Sequence, residues 1–366
     1  MKRRNDVNLH VALVVNRMKR GGVERYIKDL STELIERGFR VSLLVLSNKN
    51  DTDWLATLVE SGVELFEING NSYHDPIALL KAWQVVRRLR PDVVHFNNTS
   101  VNSALLSMLV SGKSRTVLTV HSMVTAGRAY RHMLRGVGAV IAVAPSVAKK
   151  VCDFDSGINA EKVVSIYNGI NTPAPSGEQK SFDEEVRLLY VGRIARDKNP
   201  LDALEITKLL RHMGKHVSLD VVGAAEPDDS ALEAELVSRA ESSEYSSFVR
   251  VHGWRNDVSG FYNQASAMLL LSDAEAFPYT LVDSFHAGVP VFSYPVKGGV
   301  LDIHVDGETG VISDSYSIEQ LVKKIAAILD ADGNLRCFSE NCLGISADLS
   351  AKSMTSKTIR VYQDAC

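Results

Sequence analysis

Between residues 9 and 294 the sequence alternates short, β-branched apolar runs with longer segments of helical period, in two separate stretches. That alternation limits the fold more than any other feature of the chain. Strands joined through helices pair in parallel, and the helices cover both faces of the sheet they connect. In the first stretch, runs at 9–15, 40–46, 63–68, 92–96, 116–121, 139–143 and 163–167 read as strands. Helices are expected from Gly22 to about Arg37 and over 76–89, where Pro91 closes the second. Residues 171–181, NTPAPSGEQKS, hold two prolines and few large apolar side chains, the composition of a linker. The alternation then restarts, with strands at 186–191, 217–222, 248–252, 267–271 and 290–294 and helices at 200–213, 229–240 and 318–329. An α/β chain of two Rossmann-like halves is the economical reading, with a cleft between them and ligands at the strand C-terminal ends.

The length of 366 residues accommodates two such domains, and 45% apolar with 23% charged residues is a soluble globular composition. No run approaches the roughly 18 apolar residues that cross a bilayer. The start, MKRRNDVNLHVALVVN, sets a basic stretch before an apolar one, but Arg17-Met-Lys-Arg20 follows without a small-residue cleavage site. It reads as the first strand of a cytoplasmic protein. Cys152, Cys337, Cys342 and Cys366 lack metal-site spacing and suit a reducing compartment. Charge is uneven: residues 1–173 hold 23 Lys/Arg against 15 Asp/Glu, and residues 101–150 hold seven basic residues and no acid. A basic half points to an anionic partner, either a phosphorylated acceptor or a phospholipid surface. Arg128, Arg131 and Arg135 are spaced to share one helical face, which makes them candidates for acceptor or peripheral membrane contact.

Chemistry concentrates in EAFPYTLVDSFHAGVP, residues 275–290. A buried strand leads in, Pro278 suits the first turn of a helix, and Gly288 with Pro290 ends it. Glu275 and a helix N-terminus therefore fall together, and the helix end favours an anion such as phosphate. In Val191-Gly-Arg-Ile-Ala-Arg-Asp-Lys-Asn-Pro200, Arg193 and Lys198 could neutralise a diphosphate, with Arg196 as the competing cation. Gly21-Gly22 lies between the first strand and its helix, where backbone can approach a phosphate. The full G-x-G-x-x-G pattern is absent, which argues against a nicotinamide enzyme. His121 ends a strand with little packing reason to be polar. Asp306-Gly-Glu-Thr-Gly310 reads as a structural turn. Asp51-Thr-Asp53 and Asp153-Phe-Asp155 read as exposed loop acids, and no metal site is expected.

Taken in order, Gly21-Gly22-Val-Glu24, Val94-His-Phe-Asn97, Thr119-Val-His121, Tyr167-Asn-Gly-Ile170, Gly192-Arg193 with Lys198, Val222-Gly223, E-A-F-P-Y-T-L-V-D, A-G-V-P and Gly298-Gly299 resemble the retaining GT-B glycosyltransferases of family four. The resemblance spans nearly the whole chain. It implies an acceptor-binding domain over 1–173, a nucleotide-sugar domain over 174–350, and a last helix, about 351–366, crossing back to the first. It implies hexose transfer from a nucleoside-diphosphate sugar to a saccharide or lipid-linked acceptor, in surface polysaccharide, lipopolysaccharide or glycolipid synthesis. No cofactor or metal is implied, because cationic side chains and helix ends take the leaving-group charge. By position, Glu275 would contact sugar hydroxyls, Arg193 and Lys198 the diphosphate, Gly22 would place its amide near it, and His121 would face the donor sugar. Gly21 and the run Ala276, Phe277, Pro278, Tyr279, Thr280 and Asp283 complete the implied donor contacts. The family's second acid is usually a glutamate separated from the first by seven residues; here it is the shorter Asp283. Ala276 replaces a common glycine, and Asp302 a common glutamate. An epimerase of the same fold and a non-catalytic sugar-nucleotide-binding subunit are the competing functions.

Overall fold

In a computed structural model of the protein, the described residues are 9–19, 21–48, 50–72, 74–97, 100–112, 114–123, 127–171, 185–331 and 333–365. The expected linker at 171–181 lies outside them from residue 172 onward. The chain divides into two compact units, Met1–Asn171 with Leu349–Cys366, and Thr172–Asp348.

The first unit holds a seven-stranded sheet of β1 (His10–Val15), β2 (Arg40–Ser47), β3 (Glu64–Gly70), β4 (Val93–Phe96), β5 (Arg115–Val120), β6 (Ala139–Ala142) and β7 (Val163–Ser165). The order is β3-β2-β1-β4-β5-β6-β7, parallel throughout. Every residue of β1, β4 and β6 is buried, as expected of strands covered on both faces. The connecting helices begin where short polar side chains can cap them. Asp75 accepts from the Ile77 and Ala78 amides ahead of Pro76–Leu89, and Ser100 accepts from Ser103 N ahead of Val101–Val110. The last helix, Ala351–Asp364, packs on Gly22–Glu36. Gly169 admits it: a Cβ there would lie 2.2 Å from the Ser350 carbonyl oxygen.

The second unit has a six-stranded sheet and a two-stranded one. β8 (Val186–Val191), β9 (Val217–Val222), β10 (Val249–Val251), β11 (Ala267–Leu270), β13 (Val291–Ser293) and β15 (Gly310–Ile312) run in the order β10-β9-β8-β11-β13-β15. β12 (Ala274–Glu275) and β14 (Lys297–Gly298) pair in parallel beside them. Its core is aliphatic, from Leu188, Leu219 and Leu269 on the sheet to Leu204, Leu236, Leu321 and Ile325 on the helices. In each unit the strand order reverses once, between β1 and β4 and between β8 and β11. Loops leaving the C-terminal ends of such strand pairs form the ligand crevice of open α/β sheets.

Candidate functional site

In the second unit, the reversal point brings together the two connections that the sequence singled out. β8 leads into Gly192-Arg193 and on to Lys198, and β11 leads into Ser272–Glu275. Lys198 Nζ lies 2.7 Å from Glu275 Oε1, and the Ser272 hydroxyl donates to the same oxygen at 3.0 Å. Both charged side chains are mostly buried, with 17% and 20% of their surface exposed. Lys198 Nζ also lies 3.3 Å from Asp197, whose other oxygen is 3.7 Å from Arg193. So one carboxylate, Asp197, stands between the two cations expected to hold a diphosphate. Arg193 is half exposed.

The framework beneath this pair was not legible in the residue letters. Asn199 adopts a left-handed backbone, φ 48°, and its amide donates to Leu271 O and Asp273 Oδ1, each at 2.9 Å. The Asp273 N–H donates to Asp197 O at 2.9 Å, tying the two loops a second time. The Asp273 carbonyl accepts from the Tyr316 hydroxyl and from Lys297 N. Pairing of Glu275 with Gly298 then fixes the glutamate's backbone. The Asn-Pro dipeptide at 199–200 was the available signal, because asparagine tolerates φ > 0 and proline opens a helix. Close by, Tyr294 donates to Asp202 at 2.7 Å, and burial raises the Asp202 carboxyl above its usual range.

Several expected contacts change character. The helix begins at Tyr279, so Pro278 is its N-cap in extended backbone, not a residue of its first turn. Ala276, Phe277 and Tyr279 have buried side chains, which leaves backbone groups as what they can offer a ligand. Thr280 and Asp283 are half-buried on the same helix.

In the first unit, β5 stops at Val120 and His121 follows it, so the histidine leaves the strand rather than ending it. Its ring packs edge-on against Tyr26, centroids 4.6 Å apart. His121 Nε2 is buried with no hydrogen-bond partner, and burial holds the imidazole down at about 3. Tyr26 sits on the helix opened by Gly21-Gly22, which links these sequence-distant residues. Behind it, His95 bonds Tyr362 at 2.7 Å and Thr119 at 2.6 Å, so the C-terminal helix reaches into the same polar cluster. Gly21 does provide space, but Glu24 fills it: a Cβ on Gly21 would lie 2.9 Å from the Glu24 carboxylate. Glu24 accepts from Lys19 N at 3.1 Å and is buried, which pushes its carboxyl up.

One surface reading gains partners and another is corrected. Arg131 and Arg135 do share the helix Arg128–Gly136 with Arg128, yet both turn onto Asp155. Arg135 Nη2 lies 2.6 Å from Asp155 Oδ1, and this hydrogen bond holds the Asp155 carboxyl low. One carboxylate from outside the acid-free stretch thus pairs with two of its guanidinium groups and offsets one of their two charges. Asp155 is correspondingly buried, not an exposed loop acid, and Asp51 caps the helix Thr52–Glu60. The 306–310 turn is structural, as Asp306 accepts from Ile312 N, but its Gly310 also begins β15. Among the described residues no group of three or more His, Cys, Asp or Glu could hold a metal ion. Among them, too, no helix is long and apolar enough to cross a membrane.

Two doubly wound parallel sheets are the architecture of GT-B glycosyltransferases, and in this chain the second sheet carries a Lys–Glu pair at its reversal point. Residues 20–173 match the model of Glycosyltransferase Family 4, and residues 174–342 that of Glycosyl transferases group 1. The chain belongs to this glycosyltransferase family. It is 24% identical over 210 residues to the capsular polysaccharide biosynthesis glycosyltransferase CapM of Staphylococcus aureus, a match over 54% of this chain and 53% of CapM. It is 23% identical, over 90% of each chain, to the GalNAc-alpha-(1->4)-GalNAc-alpha-(1->3)-diNAcBac-PP-undecaprenol alpha-1,4-N-acetyl-D-galactosaminyltransferase of Campylobacter jejuni. Its fold is similar to that of Anabaena HepE solved with UDP and glucose, with a TM-score of 0.81 at 15% identity over 97% of this chain and 99% of HepE.

Proposed function

We propose that this glycosyltransferase moves a hexose, with retention of anomeric configuration, from a nucleoside-diphosphate sugar to a saccharide or lipid-linked acceptor in surface glycan synthesis. The observation that carries the reading is the Lys198–Glu275 pair at the β8/β11 reversal. Lys198 and Arg193 would exchange their present carboxylate partners for the donor's diphosphate, while Glu275, held by Ser272, would accept from sugar hydroxyls. A cation with few remaining water contacts, as Lys198 is, stabilises a departing diphosphate strongly, and the more exposed Arg193 adds a second positive charge beside it. A neutral His121 could donate to or accept from the sugar, since its imidazole does not charge near neutral pH. On the retaining reading, the acceptor attacks the face that the diphosphate leaves, and a phosphate oxygen takes the acceptor proton. The relatives support the substrate classes: HepE was solved with UDP and glucose, and the C. jejuni enzyme is named for an undecaprenol-linked glycan.

The test combines a thermal-shift screen over UDP-, GDP-, ADP- and CMP-sugars with donor turnover, measured with and without lipid-linked acceptors. One donor should raise the melting temperature, and turnover should require an acceptor and yield a product of the donor's anomeric configuration. Conversion of donor alone into an isomer, or binding without turnover for every acceptor, would replace the proposal by an epimerase or a binding subunit.

A further inference from the structure

In the first unit, a chain of buried hydrogen bonds begins and ends on the last helix, Ala351–Asp364, and runs through the ring partner of His121. Its members are Tyr362, His95, Thr119, Tyr26 and Thr358, none more than 2% exposed. Tyr362 Oη lies 2.7 Å from His95 Nδ1, His95 Nε2 lies 2.6 Å from Thr119 Oγ1, and the longest link, Thr119 Oγ1 to Tyr26 Oη, is 3.4 Å. The Tyr26 hydroxyl also bonds the Thr358 hydroxyl.

The direction of the chain follows from counting protons, since each hydroxyl has one to give. Thr358 donates to Met354 O at 2.9 Å, so its oxygen accepts from Tyr26. The Tyr26 oxygen then accepts from Thr119, and the Thr119 oxygen from His95 Nε2–H. Burial holds the His95 imidazole down at about 3, and a neutral ring carries a single N–H. His95 Nδ1 therefore accepts from the Tyr362 hydroxyl. Donors aligned in this way polarise one another, and losing the first loosens the rest.

His121 depends on the far end of that chain. Its Nε2 has no hydrogen-bond partner, and the ring leans on the edge of Tyr26, with centroids 4.6 Å apart and planes at 71°. An edge-on contact orients an imidazole only as well as the phenol itself is held. Tyr26 is held at its tip twice, by Thr119 on the strand that leads to His121 and by Thr358 on the last helix. We propose that Tyr26 is a positioning residue for His121, kept in place through this chain by Tyr362 and Thr358, so that the last helix sets the orientation of the imidazole. The inference rests on the reading that His121 meets the donor sugar, and its test separates the two.

Tyr362→Phe removes the one hydroxyl at the head of the chain. With histidine-labelled protein and no ligand, nitrogen NMR should show His95 as the Nε2–H tautomer. The His121 ring signals should shift in Tyr362→Phe while those of His304, in the other unit, stay put. An Nδ1–H tautomer at His95, or an unmoved His121, overturns the proposal. Kinetics then use the nucleotide sugar that a thermal-shift screen over UDP-, GDP-, ADP- and CMP-sugars selects. Tyr362→Phe should lower kcat about tenfold with the donor KM within about twofold, and should have no further effect in a His121→Ala background. Equal falls in both backgrounds mark a merely structural hydroxyl and overturn the proposal. Parent-like turnover by His121→Ala removes the reading of His121 itself, and the inference with it. Should Tyr362→Phe fold poorly, the isosteric Thr358→Val breaks the other end of the chain and enters the same comparisons.

Discussion

Lys198 and Glu275, 77 residues apart in sequence, meet at 2.7 Å because each follows one of the two strands where the second sheet reverses its order. Each charge is the other's partner, so neither is buried uncompensated. This sets the cost of removing one. Lys198→Ala leaves a mostly buried carboxylate without its cation and should cost about 1–3 kcal/mol of stability in the second unit. Replacing both residues should cost less than the two single changes added together. Donor turnover should fall about 100-fold or more for Lys198→Ala and for Glu275→Gln. Melting curves and steady-state kinetics on the four proteins of the cycle measure both; wild-type turnover in either single variant would remove the site assignment.

Asn199 separates backbone from side-chain effects. Its φ of 48° suits glycine, while its amide ties Leu271 and Asp273 to the loop that carries Lys198. Asn199→Gly keeps the turn and loses the ties, whereas Asn199→Ala loses the ties and adds about 1–2 kcal/mol of left-handed strain. The alanine form should melt lower than the glycine form, yet both should show a similarly raised KM for donor. Equal melting temperatures would show that the backbone conformation is not the constraint.

The strands were legible because their signal is local. Six-residue apolar runs such as Val186–Val191 and Val217–Val222 carry their own boundaries, and both match the reading residue for residue. What the letters hid depends on partners far away in sequence. Arg131 and Arg135 read as a free basic face because Asp155, 20 residues beyond Arg135, contributes nothing to local periodicity. The helix Val101–Val110 drew no notice since its buried positions are partly polar and its exposed ones apolar, which erases the usual helical pattern. In Asn334–Ser346 the pattern is hidden for a similar reason, because the buried positions after Leu335 and Phe338 are Cys342 and Ser346, and Gly344 weakens the helical signal further. Glu275 was found, but not Ser272 or Asn199, whose roles exist only once two loops meet.

Gly223 shows how a motif glycine can serve packing. Its backbone has φ 148°, and a Cβ there would fall 1.8 Å from the Gly192 carbonyl oxygen. Gly192 immediately precedes Arg193, so the close approach of the β8 and β9 ends sets where that cation stands. Gly223→Ala should destabilise the second unit by about 3 kcal/mol or more, from strain plus overpacking. Limited proteolysis should cut within 185–348 in the variant and spare the parent; unchanged resistance would show that the approach is not tight in solution.

Acid should unfold the protein through its buried histidines. Burial holds His95 at about 3 and His304 at about 4, against an unfolded value of about 6.5. Both are almost fully buried, and His121, which is only half-buried, adds less. Between the folded and unfolded values the unfolded chain binds the extra protons, so stability rises with pH across that window. It is complete above about 6.5 and falls by roughly 1.4 kcal/mol per histidine for each unit below. From pH 6.5 to pH 5 the two together should cost about 3 kcal/mol, offset in part by carboxylates such as Asp202 and Glu24, which burial raises. Denaturant midpoints at pH 7.5, 6.5, 5.5 and 5 measure the slope, and His304→Asn should flatten it by about one proton per molecule. A slope no steeper in the parent than in that variant would mean that His304 is protonated, or hydrated, in the folded chain.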